Sequence, residues 1–117
     1  MSIEDKEVLK AIGKLLYIIS SADHNFHDEE FTVKKILIDS FGLTEGETLD
    51  IKNEAHKKGD LINVVINSVQ TINEQNNKVL ELTVLGLVTS IAADDGKLAQ
   101  NESGILKVIK DKLLNDN

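Results

Sequence analysis

A chain of 117 residues, 41% hydrophobic and 28% charged, suits one domain with its own core and is too apolar for wholesale disorder. Its 20 acidic against 13 basic side chains give a net charge of −7, which argues against nucleic acid as a partner and against direct membrane insertion. Without cysteine there is no disulfide, thiolate nucleophile or cysteine zinc site.

The longest apolar run, Leu15 to Ile19, is too short to span a bilayer, and the acidic start Ser2-Ile3-Glu4-Asp5 is unlike a signal peptide. A cytoplasmic location is therefore expected. Proline is absent, so Gly, Asn, Asp and Thr must punctuate the chain.

Ser2 and Asp5 resemble a capping box, and a first helix is predicted over Ile3–Ala22. Val8, Ile12, Leu15, Ile19 and Ala22 share a face that Leu9, Leu16 and Ile18 widen, so the second half should be nearly buried. A second helix should start at His27 or Asp28, with acids at its positive end, carry Val33, Ile36 and Leu37 inward, and end at Gly42. Thr44 and Glu47 form a capping box for a third helix ending at Lys57-Lys58-Gly59. Its thin apolar set (Leu49, Ile51, Ala55) makes it the most exposed helix expected.

Asp60 should cap a fourth helix with Ile62, Val65, Ile66 and Val69 at helical spacing. The polar stretch 73–77 reads as a loop, followed by a fifth helix over Lys78–Ala93 that is as apolar as the first. Asn101 should cap a sixth helix, with Ile105, Val108, Ile109 and Leu113 as its stripe. These elements predict a single all-α domain over 1–117, a compact bundle of about six helices.

A duplication runs through this order. Asp23, Phe26 and Glu30 recur as Asp95, Leu98 and Glu102, each shifted by 72 residues (95 − 23 = 98 − 26 = 102 − 30). The same shift carries Ile12, Leu15, Leu16 and Ile19 onto Val84, Leu87, Val88 and Ile91, and Val33, Ile36 and Leu37 onto Ile105, Val108 and Ile109. Two helix–acidic loop–helix units are expected, related by an approximate two-fold axis, with the first and fifth helices packed together at the centre. Gly13 and Gly86, one residue apart under the shift, read either as close backbone approach, which would offset the ~1 kcal/mol a mid-helix glycine costs relative to alanine, or as neutral drift.

Two readings of the acidic loops stay open. In the first, each Asp accepts backbone N–H bonds, the hydrophobic fourth residue plugs the core, and the Glu sits in the first turn of the next helix. In the second, Asp23, Asp28, Glu30, Asp95 and Glu102 supply oxygens to a divalent cation. Two bare carboxylates ~6 Å apart repel by roughly 3 kcal/mol at an effective dielectric near 20, which a cation would relieve.

Neither loop is an EF-hand: counted from Asp23 the sixth residue is Asp28 and the twelfth Lys34, and counted from Asp95 the twelfth is Leu106. His24 and His27 add nitrogen donors for a transition metal, but the second copy has Gly96 and Ala99 there. His56 reads as a surface residue. No nucleophile–base constellation or phosphate loop is visible, and Ser20 and Ser21 read as helix-neighbour contacts rather than part of a triad.

The second unit reads Ala93-Asp94-Asp95-Gly96-Lys97-Leu98-Ala99-Gln100-Asn101-Glu102, and the first Ala22-Asp23-His24-Asn25-Phe26-His27-Asp28-Glu29-Glu30. This pair resembles the TerB-like family, the tellurite-resistance-associated domain, over nearly the whole chain. The family's mark is an apolar helix ending in Ala-Asp-Gly, then a hydrophobic residue and a Glu, with the unit repeated. The resemblance implies an all-helical, non-enzymatic domain with an acidic surface implicated in divalent metal binding. It also implies a link to stress from toxic oxyanions and to membrane-associated complexes.

By position it transfers that role to Asp23 and Glu30, and to Asp95 and Glu102. The first copy departs in having His24 for the glycine, and the second has Gln100 and Asn101 where the first has Asp28 and Glu29. Besides the cation-binding domain, two alternatives are weighed: an acidic module docking a protein with a basic surface, and a metal-dependent hydrolase.

Overall fold

Burial of one long apolar helix organises the molecule. The computed structural model describes residues 6–21, 26–55, 61–92 and 100–114, with side chains described except at 21, 26–30, 61–62, 92, 100–103, 105 and 114. Its elements are α1 (Lys6–Ser21), α2 (Phe26–Lys35), α3 (Glu45–Ala55), α4 (Leu61–Asn73), α5 (Lys78–Ala92) and α6 (Gln100–Leu114). The fold is all-α, with no strand among the described residues. No described helix is long and apolar enough to cross a membrane.

Along α1, Val8, Leu9, Ile12, Leu15, Leu16, Tyr17, Ile18 and Ile19 are all buried, so the helix is closed off on nearly every side from Leu15 onward. It packs against each of the other five helices. The predicted ends at Ile3 and Ala22 lie outside the described residues.

α2 begins at Phe26, one residue before the expected start, and continues as a π-helical turn over Ile36–Ser40. There the Phe41 N–H donates to the Ile36 carbonyl at 3.2 Å, five residues back. Gly42 then stops the helix as predicted. It adopts φ +73, and its N–H donates to the Ile38 carbonyl at 3.2 Å. Leu43 donates to Leu37 at 3.0 Å and buries its side chain beside the cap.

Thr44 and Glu47 cap α3 reciprocally: Thr44 N–H donates to Glu47 Oε1 at 2.9 Å, and Glu47 N–H to Thr44 Oγ1 at 3.1 Å. Expected to be the most exposed helix, α3 still buries Thr48, Ile51 and Ala55 against the core. Leu49, one of its thin apolar set, is 55% exposed. Two positions along a helix are about 200° apart, so Leu49 cannot share the face of Ile51. The Lys57-Lys58-Gly59 end and the Asp60 cap lie outside the described residues.

Val65, Val69 and Ile72 bury the inner stripe of α4, and Ile66 is half-buried. The predicted loop at 73–77 is a tight turn in which Asn76 takes φ +50 and Asn77 caps α5, its Oδ1 accepting the Leu80 N–H at 3.1 Å.

α5 packs against α1, α4 and α6 but, unlike α1, keeps an open side. Leu80, Val84, Val88 and Ile91 are buried, while Val79 and Leu82 are exposed. Apolar content alone does not centre a helix; neighbours cover one stripe of α5 only.

α6 buries Ile109 and Leu113. It starts at Gln100, so Asn101 lies inside the helix rather than at its cap, a shift of the size by which helix ends usually differ from sequence estimates.

The two glycines differ. A Cβ on Gly13 would meet Ile51 Cγ2 at 3.1 Å and Leu37 Cδ1 at 3.2 Å, so the close approach is by side chains of α3 and the π turn, not by α5. Around Gly86 there is open space.

Candidate functional site: the two acidic connections

Residues 22–25 join α1 to α2, and residues 93–99 join α5 to α6. Each connection leaves the C-terminal end of an apolar helix and enters the N-terminal end of the next. Asp28 is the third residue of α2, Glu30 follows two later, and Glu102 is the third residue of α6. The backbones of Asp28 and Glu102 therefore sit in the first turns, where the helix dipole favours a carboxylate, while Glu30, the fifth residue of α2, lies in its second turn. Their side chains lie outside the described set, as do Asp23 and Asp95 entirely, together with His24, His27 and His56.

Beside the first connection, Ser20 is fully buried and its hydroxyl donates to the Tyr17 carbonyl at 2.9 Å. The hydroxyl is engaged within its own helix, as a helix-neighbour contact rather than a nucleophile.

Elsewhere three described acids tie helices together. Glu54 meets Lys14 at 2.8 Å and Glu47 meets Lys6 at 3.1 Å, both fastening α3 to α1. Glu45 lies 4.0 Å from Lys34 of α2. The Thr44 backbone N–H, followed by the Lys6 ammonium, holds the Glu47 carboxyl down to about 2 from its ordinary 4.5. Among the described residues, no three or more of His, Cys, Asp and Glu gather as a metal would need.

Sequence reasoning missed one buried acid. Glu81 of α5 is 1% exposed, with Lys78 Nζ 3.6 Å from its Oε1. Under the 72-residue shift it takes the place of buried Leu9 (81 − 72 = 9). A Glu in the first turn of a helix reads as a dipole-favoured surface residue, so only the comparison with Leu9 could have flagged it.

A groove of about 600 Å³ runs between α4 and α6, floored by Ile66, Val69 and Val108.

These features define a small all-helical domain, with six helices among the described residues. The family model described as Tellurite resistance protein TerB matches residues 9–114, and the chain belongs to the TerB family. Compared with the curated proteins and with the solved structures, the chain gives no match.

Proposed function

We propose that this TerB-family domain is a non-catalytic cytoplasmic protein that binds a divalent cation through its paired acidic connections and acts in the response to tellurite-type stress. The ligands would be Asp23, Asp28 and Glu30 from the first connection, with Asp95 and Glu102 from the second. Oxygen donors from two separate segments suit a hard cation, and the charge they concentrate is relieved by binding one.

The observation that carries this reading is the matching placement of the two connections. Under the 72-residue shift, the end of α1 at Ser21 corresponds to position 93, and α5 ends at Ala92. The start of α2 at Phe26 corresponds to position 98, and α6 starts at Gln100. Each acidic connection thus follows an apolar helix at an equivalent point, and the family match spans both.

The test is thermal melting with calcium, magnesium, manganese and zinc. A cation that binds only the folded state raises the melting temperature by mass action. The rise should vanish in the Asp23→Asn, Asp95→Asn double variant. A rise that survives it places the site elsewhere, and no rise at millimolar ion favours the second reading.

That second reading is an acidic interaction module with no metal. It is supported by the net charge of −7 and by the apolar-floored groove between α4 and α6, a feature the cation reading does not use.

A further inference from the structure

We propose that the groove between α4 and α6 is a docking site for a partner protein segment that presents an arginine beside aliphatic side chains. This deepens the interaction reading and is independent of the cation.

The floor is aliphatic: Val69 is buried, and Ile66 and Val108 are half-buried with faces left to the groove. Acceptors gather on the walls. Glu74, immediately past the end of α4, and Asp111 of α6 are both exposed and line opposite sides. The last turn of α6 lies here too, where the helix dipole presents its negative end.

Asn73 bridges the two helices at this point, its Nδ2 donating to the Lys112 carbonyl at 3.0 Å. Its Oδ1 is buried and accepts no hydrogen bond from the described residues. The groove end thus has two carboxylates and an unfilled amide oxygen, against Lys112 as the one cation among its described lining residues.

A guanidinium answers that imbalance. It carries five N–H donors in a planar fork, is always charged, and can face two carboxylates at once, while its methylene stem lies on apolar surface. A volume of about 600 Å³ exceeds one side chain, leaving room over Ile66 and Val108 for neighbouring aliphatic residues of the same segment. The rest of the protein adds long-range attraction through its net charge of −7.

The experiment uses the full chain, isotopically labelled, titrated with a short synthetic amphipathic helix bearing leucines flanked by arginines. A matched peptide with citrulline for arginine is the control. The expected result is chemical-shift change centred on Gln70, Asn73, Glu74, Val108, Asp111 and Lys112. Affinity should fall about tenfold for the citrulline peptide, for the Glu74→Lys, Asp111→Lys variant, and on raising salt. Both substituted residues are exposed, so the variant should keep the fold. Equal binding of the citrulline peptide, or no binding of the arginine peptide, overturns the proposal. Shifts centred on 22–30 and 93–102 overturn the groove while leaving an acidic interaction module standing at the connections.

Discussion

Replacing Gly13 and Gly86 by alanine should have opposite effects, although the two glycines sit one residue apart under the internal shift. Both substitutions gain about 1 kcal/mol from helix propensity. At Gly86 that gain is unopposed, because nothing lies within 4 Å of the new Cβ. At Gly13 the methyl would press on Ile51 Cγ2 at 3.1 Å and on the Leu37 methyls at 3.2 and 3.3 Å. Ile51 and Leu37 are 2% and 0% exposed, so neither has free room to retreat.

Overpacking of this kind costs about 1–3 kcal/mol. Gly13→Ala should therefore end between neutral and about 2 kcal/mol less stable, and Gly86→Ala about 1 kcal/mol more stable. Urea denaturation with an unchanged slope reads both directly. If Gly13→Ala stabilises as much as Gly86→Ala, the packing of α1 against α3 and the π turn is not as tight as described.

Other outcomes follow from the same contacts. Thr44→Ala removes half of the reciprocal cap on α3 and should cost about 1 kcal/mol in chemical denaturation. Glu47 has its folded value lowered from 4.5 to about 2, so its contribution is complete above 4.5 and is lost as pH falls toward 2. A Thr44→Ala, Glu47→Ala variant should lose stability less steeply than wild type across that window, and parallel profiles would show the carboxylate is not held. Glu81→Leu, which copies Leu9 of the first unit, replaces a buried charge with an apolar side chain. It should raise the melting temperature, by about 1–2 kcal/mol of stability; a marked loss instead would mean that the carboxylate is secured by a network worth more than its burial costs.

The helices were legible because their signals are local. The apolar spacing of Val8 to Ile19, the Thr44–Glu47 box and Gly42 each act within one or two turns, and each has the role expected of it. What the sequence concealed depends on neighbours far along the chain. Leu49 and Ile51 are equally apolar, and only packing against α1 shows which one is inside. The same holds for the open side of α5, where Val79 and Leu82 are exposed, and for Glu81, which is acidic yet buried. The π turn over Ile36–Ser40 left no sequence mark, since it inserts one extra residue into an otherwise ordinary helical pattern. Of the predicted ligands, Asp28 and Glu102 have backbones in the first turns of α2 and α6, Glu30 has its backbone in the second turn of α2, and Asp23 and Asp95 fall outside the described residues.

Calorimetric titration of the full chain with calcium, magnesium, manganese and zinc, beside the Asp23→Asn, Asp95→Asn variant, tests the central claim most directly. The account predicts saturable heat with at least one of these ions and its loss in the variant. Asparagine caps a helix or turn about as well as aspartate, so the variant should stay folded and differ mainly in charge. Undiminished ion affinity in the variant, or no saturable heat with any of the four ions, would contradict it.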